Sequence, residues 1–553
     1  MNMHDLKWMA LSIPLLIPLT LVAFTEAQTE GSLAMSQPTT PPADLFALAR
    51  SKRATLAVST LLMAQSIDKH LATDADVDRA IAWCKATGVT RIFLETFRNG
   101  FTADADILRR ARRRFEQAGI AVSGCVTTTQ VGPVAQDRSQ RDCYADAATR
   151  KRLAAIFEYT AALFDEIMID DFLFTNCQCE TCLAGKGDGT WAAYRTRLMA
   201  DASRECILAP ARRVNPNVRI IIKYPNWFDN LQEHGYDVVR QTAMFDLIWV
   251  GTETREPDNA RWGSVQQYRG FFIMRWLGAV GGAKTAGGWF DEIDTGPVAY
   301  VEQARQTVLG GAREMMLFNY ASLNRPRRDE HVRRLREELP TLLAIAECLA
   351  GREARGIPAV KPPNSPPGAE YAVYEFLGML GLPVVPVERI PDRAGAVFLP
   401  VQAAAEPDAA AKIARLVDAG TTVLVTDGLA AELDGRIDLD APNVHLLAVK
   451  GKPAALLDLS DTRIDELRRT MLAPLGLSLT APKRVAIYLL GDDLVAVESF
   501  TDAPADVVLA LDGLTDATLE HALPNGTEPH IVRNGATIRL VLPPRSLALL
   551  RVR

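Results

Sequence analysis

The chain has 553 residues, which leaves room for about three domains at roughly 150 residues each. Hydrophobic residues make up 48% and charged residues 23%, the balance of a globular protein with sizeable cores rather than a disordered or fibrous one. The formal net charge is −6, with 61 Lys+Arg and 67 Asp+Glu spread along the chain. No basic stripe forms, so nucleic acid is excluded as an expected partner.

The first element is an apolar block, "MALSIPLLIPLTLVAF" (9–24), behind Lys7. "FTEAQ" follows, with Ala27 at a cleavage position and Thr25 two residues before it. This reads as a secretory signal peptide over residues 1–27, and the expected location is the periplasm or outside the cell. An uncleaved anchor is the rival. Two prolines and a length near 16 residues argue against a stable span. "AMSQPTTPPAD" marks a linker, residues 28–50, and no later segment is apolar enough to cross a bilayer.

From residue 51 to about 350 a short β-rich run, a loop and a helical stretch recur. The strand candidates are "TLAVST" (55–60), "RIFLET" (91–96), "IAVSGCV" (120–126), "EIMIDDF" (166–172), "RIIIKYP" (219–225), "LIWVGTE" (247–253), "AKTAGGWFD" (283–291) and "EMMLFNY" (314–320). The stretches between them, such as "DADVDRAIAWCKATG", have apolar residues at helical spacing and end at glycine, as a helix C-terminus prefers. Eight such units predict an α/β fold, a (β/α)8 TIM barrel; an open doubly wound sheet is the rival. "GREARGIPAVKPPNSPPG" (351–368) marks a boundary. Beyond it, "LPVVPV", "GAVFLP" and "TTVLVTD", with the crossover helix "DAAAKIARLVDAG", predict a small flavodoxin-like α/β domain over 351–455. Residues 456–482 are expected as a connector. Residues 483–553, from "RVAIYLLGDDLVAVESF" onward, read as an antiparallel β-sandwich.

In such barrels chemistry sits where strands end in loops at the C-terminal mouth. Those ends supply Glu95 and Arg98, Asp170 and Asp171, Lys223, Tyr224 and Trp227, Glu253, Trp289 and Asp291, and Asn319. Sugars suit this set: their C–H faces stack on aromatic rings and their hydroxyls bond to carboxylates, amides and guanidinium groups. Glycoside cleavage needs two carboxyl groups flanking the bond, one of them protonated, and crowding carboxylates in a cleft raises the pKa of one. Asp171, Glu253 and Asp291 are the catalytic candidates. The substrate-binding candidates are Glu95, Arg98, Asp170, Lys223, Tyr224, Trp227, Trp289 and Asn319. Bland readings stand beside these. Glu95 and Arg98 would form a salt bridge holding a loop, and the tryptophans would be loop core. If the strand continues, Asp170 and Asp171 face opposite ways, with Asp171 the favoured functional residue.

"CQCETC" places Cys177, Cys179 and Cys182 in one tight loop after strand 4, and Cys143 lies in the loop after strand 3. Loops 3 and 4 are neighbours in a barrel. The four thiolates are therefore expected to hold a structural zinc, which takes four ligands and leaves no open position for chemistry. A disulfide within the loop is the alternative. Cys84, Cys125, Cys206 and Cys348 read as core thiols.

The domain order and the cysteine loop resemble the family 42 β-galactosidases and related clan A-like glycoside hydrolases. The resemblance spans residue 50 to the end, mostly as architecture, and the cysteine loop is its one specific motif. It implies a zinc at Cys143, Cys177, Cys179 and Cys182, a trimerisation role for the middle domain and hence a homotrimer. The family has an Asn-Glu pair at the end of strand 4, where this chain has Asp170-Asp171, and a glutamate nucleophile at strand 7, where it offers Asp291 and Glu292. β-Galactosidase specificity is therefore not implied. A strand 4 aspartate with a strand 6 acid also resembles α-galactosidase-type barrels, which would make Asp171 the nucleophile and Glu253 the acid/base. The leading expectation is an exported glycoside hydrolase acting on an oligosaccharide or glycoside, with Asp171 as general acid/base, Asp291 as nucleophile or its partner and Glu253 as a third carboxylate. A binding protein on a hydrolase scaffold that has lost catalysis is the alternative, and a thiol redox or metal-handling protein the third reading.

Overall fold

The structure is a computed structural model that describes residues 44–132, 142–257, 259, 261–263, 265–522 and 529–553. The expected signal peptide and the linker as far as residue 43 lie outside the described residues. The rest of the expected linker is not a loop: α1 (Leu45–Lys52) begins there, capped by the Asp44 side chain on the Ala47 amide at 2.8 Å. Its Leu45, Phe46 and Ala49 are buried in the main core, so apolar spacing outweighs the preceding prolines.

Eight parallel strands close on themselves. They are β1 (Ala57–Leu62), β2 (Arg91–Arg98), β3 (Ala121–Val126), β4 (Glu166–Ile169), β5 (Arg219–Tyr224), β6 (Leu247–Gly251), β7 (Thr285–Asp291) and β8 (Glu314–Phe318). β1 pairs with β2 on one side and β8 on the other, which completes the barrel. Helices cover the outside, and their starts are set locally: Thr73 and Asp76 form a reciprocal capping box, and Asp104 accepts from the Asp106 and Ile107 amides.

Strand alternation sorts the side chains. Leu61, Phe93, Cys125, Met168, Ile221, Trp249, Trp289, Met316 and Phe318 form one separate cluster drawn from all eight strands, the packed lumen. Their alternates, such as Ile92, Leu94, Ile220 and Ile222, belong to the core under the helices. Two residues further along the same inward registers stand Glu95, Thr127, Asp170, Lys223 and Asp291. A charged layer thus caps the apolar lumen at the C-terminal mouth.

The second sheet has β9 (Ile357–Val360), β10 (Val384–Val387), β11 (Ala396–Leu399), β12 (Thr422–Thr426) and β13 (Val444–Leu447). All are parallel, in the order β10-β9-β11-β12-β13. This is the flavodoxin-like order. The C-terminal unit is two antiparallel sheets. It recruits more chain than expected: Leu477–Thr480, from the connector, pairs with Ala505–Leu511, and Ala354–Arg355 pairs with Val485–Leu490. The connector also holds the helix Asp461–Leu472.

The helix Pro297–Leu309 is buried all along Ala299–Leu309. A helix wet on one face would not be; this one lies between the barrel and the C-terminal sheets. Two of its polar side chains bond across that junction. Gln306 donates to the Tyr488 hydroxyl at 2.8 Å and to Glu498 at 2.6 Å, and Arg305 donates to the Arg545 carbonyl at 3.0 Å. Among the described residues no helix is long and apolar enough to cross a membrane.

Candidate active site

Lys223 is the centre of the charged layer. Its ammonium, almost wholly buried, lies 2.8 Å from Asp171 Oδ2, 2.6 Å from Glu253 Oε1 and 3.6 Å from Asp170 Oδ1. It also sits 4.0 Å from the centroid of the Trp289 ring, which forms its floor. Burial alone would lower its pKa, but the three carboxylates together raise it, so it stays charged.

The layer holds five carboxyl groups (Glu95, Asp170, Asp171, Glu253 and Asp291) against three cations (Arg98, Lys223 and Arg255). Ionising all five leaves excess negative charge away from water, and protons settle where the counter-charge is weakest. Asp170 is well served. Burial raises its pKa, but Lys223 and Arg98 outweigh that and hold it below the usual range; it accepts from Arg98 at 2.7 Å and Thr127 at 3.0 Å. Burial pushes Asp171 up to about 7, with Lys223 opposing and the Asp170 and Glu253 charges adding. Burial also raises Glu253, with Asp291 adding and Lys223 and Arg255 opposing. Glu253 Oε2 has no hydrogen-bond partner among the described residues. Gly251 makes room for it: a Cβ there would meet this oxygen at 2.4 Å.

Above the layer opens a cavity of about 410 Å³ whose walls include Asp171, Glu253, Asn226, Trp227, Phe174 and Arg255. That size is typical of small-ligand pockets. Asp171 and Glu253 are thus brought together at its base by a shared ammonium. Their bonded oxygens lie no farther apart than the two hydrogen-bond lengths combined.

The other candidates take different places. Glu95 is fully buried, gripped by Arg98 Nε at 2.8 and 3.0 Å and by the Ala64 amide at 2.8 Å; it braces loop 2 and does not line the cavity. Arg98 bridges Glu95 and Asp170. Asp291 is held by Arg255 Nη2 at 2.6 Å and Nε at 3.1 Å, and it too is absent from the cavity wall. Tyr224 points out of the barrel, its hydroxyl 3.0 Å from Thr242; one residue after the inward Lys223, it must. Trp289, 2% exposed, stacks on Phe318 inside the lumen and offers no face to a ligand. Asn319 caps the helix Tyr320–Leu323 by accepting from the Ser322 amide at 3.0 Å. Trp227 does line the cavity, packed edge-on against Phe174 and His234.

Three aromatic wall residues were not foreseen. Phe172 and Phe174 stand one and three residues after Asp171, and an aromatic pair after the strand 4 acid was a usable signal. Trp262 stands in the long loop after β6, with Arg255 and Arg261 stacked on its ring at 3.9 and 4.6 Å and its Nε1 donating to Asp294 at 2.9 Å.

The sulfurs of Cys143, Cys177, Cys179 and Cys182 lie within 4.8 Å of one another, a set that could hold a metal ion. Cys143 Sγ is 3.7 Å from Cys179 Sγ and 3.6 Å from Cys182 Sγ. None of the eight cysteines is in a disulfide. The cluster also ties loops together: Thr175 donates to the Asp142 carbonyl at 2.9 Å and accepts from the Cys177 amide at 3.1 Å.

Residues 44–380 match the family model described as probable glycosyl hydrolase, catalytic domain. An uncharacterized protein of Saccharolobus solfataricus is 27% identical over 310 residues, 49% of this chain and 51% of that protein; the chain spans about half the length of this curated relative. Among solved structures, Gan42B, a GH42 β-galactosidase, superposes with a TM-score of 0.58 at 10% identity, covering 90% of this chain and 98% of that one. The exo-β-1,4-mannosidase Op5Man5 from Opitutaceae bacterium strain TAV5 gives 0.47 at 12% identity, covering 88% and 91%. At these identities the structural likenesses concern the fold.

Proposed function

Because the chain belongs to the family of probable glycosyl hydrolase catalytic domains, we propose that it hydrolyses O-glycosidic bonds with Asp171 and Glu253 as the working carboxyl pair. The observation that carries this reading is the shared clasp: two acids at the base of one cavity, both bound to the Lys223 ammonium. Two such acids need different protonation states, and one proton between them supplies that. Asp171, held near neutrality, is the general acid and later the base. Glu253, with one oxygen fixed by Lys223 and the other unpartnered, is the nucleophile. Its carboxylate forms a bond to the anomeric carbon as the glycosidic C–O bond breaks, and Asp171 gives its proton to the leaving oxygen. Asp171 then takes a proton from water, whose oxygen displaces Glu253 and frees the sugar. The closeness of the pair fits the retaining separation of about 5–5.5 Å better than the inverting one of about 6.5–9.5 Å.

Zinc fits the cysteine cluster. Tetrahedral Zn–S bonds of about 2.3 Å put sulfurs roughly 3.8 Å apart, close to the distances from Cys143. Four thiolates close the site, so the metal would brace loop 4 and stay out of the reaction. Export and a homotrimer belong to the same reading, supported by the apolar N-terminal block and by the family 42 resemblance.

The test is a panel of 4-nitrophenyl glycosides covering both anomers of the common hexoses and pentoses. The expected result is release of 4-nitrophenol from at least one, lost in Glu253→Gln. A protein inert on every sugar that still binds oligosaccharide would replace this reading with that of a carbohydrate-binding protein.

A further inference from the structure

Next to the acidic cavity lies a second one, of about 620 Å³. The two share Trp262, Val265 and Arg269 as a common wall. The far side of the second cavity belongs to the middle domain, with Tyr371, Phe376 and Lys452, and to the start of the connector, with Asp458. The junction is built, not incidental. Arg269 pairs with Glu375 of the helix Val373–Met379, with Nη2 3.2 Å from Oε1. Glu375 also accepts from the Gln266 amide at 2.9 Å, and Asp229 accepts from the Ala372 amide at 2.8 Å. These groups are buried or nearly so, which fixes the middle domain against loops 5 and 6.

We infer that this second cavity is a binding site for the continuation of the substrate, the further sugar units of a linear neutral saccharide whose scissile bond lies over Asp171 and Glu253. The inference rests on the hydrolase reading for what occupies the first cavity. Its chemistry matches the occupant. Tyr371 is half exposed and offers a ring for the C–H face of a sugar, while the exposed Lys452 and Asp458 sit where hydroxyls would reach them. Trp262, pinned by two guanidinium groups and Asp294, is the partition between the two compartments. Asp291 thereby gains a purpose without touching substrate: it holds Arg255, and Arg255 holds Trp262. A middle domain that supplies half of a saccharide groove also explains why it is locked to the barrel by buried ion pairs.

The experiment is titration calorimetry of the full chain with gluco-, manno- and galacto-oligosaccharides of one to five units, beside hydrolysis of the same series. We expect affinity or kcat/KM to rise at least tenfold between one unit and three in one series. That gain should disappear in Tyr371→Ala and in Ala455→Trp, which fills the cleft from an exposed position, with circular dichroism unchanged. Length-independent binding and hydrolysis, or a length gain that survives both variants, would overturn the inference while leaving the hydrolase reading intact. Length-dependent binding without hydrolysis would support the groove and sink the hydrolase. No binding and no hydrolysis at any length would sink both.

Discussion

Asp171→Asn is expected to lower kcat/KM by about 10³-fold on substrates with poor leaving groups, the scale of a lost general acid. The loss shrinks on aryl glycosides whose phenol leaves without a proton. The wild-type profile carries the same signature. Asp171 must be protonated to act, and burial with its like-charged neighbours holds its carboxyl at about 7 against the opposing pull of Lys223. Activity therefore falls as pH rises through that value, tenfold per unit once the acid is mostly ionised, and falls again on the acid side as the Glu253 carboxylate takes up a proton. A kcat/KM profile flat from pH 6 to 9, or an Asn variant equally damaged on every leaving group, would show that Asp171 does not donate the proton.

Loss of the proposed zinc is expected to be the second large effect. Asp171 and Cys177 are six residues apart on one loop, and Phe172 and Phe174 between them line the cavity. Cys143 comes from the neighbouring loop, and Thr175 links the two through the Asp142 carbonyl. Cys177→Ser with Cys182→Ser is expected to abolish a stoichiometric zinc seen by elemental analysis. The melting midpoint should fall by about 3–5 °C, as a loss of roughly 3 kcal/mol would produce in a cooperative unit of this size. Activity should fall with it, although no cysteine touches the cavity. Full activity and an unchanged midpoint in a zinc-free protein would remove the brace from the account.

The architecture was legible because two periodicities alternate eight times before the proline-rich boundary, and inward registers could be counted from strand ends. The same counting should have separated Lys223 from Tyr224, since adjacent strand residues face opposite sides. It could not show that Trp289 would be roofed by the Lys223 ammonium and so kept from the cavity. Nor could it show that Asp291 would meet Arg255. That pairing depends on a left-handed backbone turn at Arg255, with φ of 58°, which no pattern in "GTETREP" announces. Trp262 sits in a loop without periodicity, and its place is set by contacts from Arg255, Arg261 and Asp294. The four cysteines, by contrast, carry their spacing on the surface of the sequence, and the barrel's loop order brings the fourth to the other three.

The most direct measurement compares Glu253→Gln and Asp291→Asn on one cleaved substrate. If the pair clasped by Lys223 performs the reaction, Glu253→Gln loses at least about 10³-fold in kcat, and azide restores turnover with the opposite anomer in a Glu253→Gly variant. Asp291→Asn then loses far less and shows no azide rescue. A Glu253→Gln enzyme with near-normal kcat, beside an inactive Asp291→Asn that a nucleophilic anion rescues as the Gly variant, would move the chemistry to strand 7 and contradict the account.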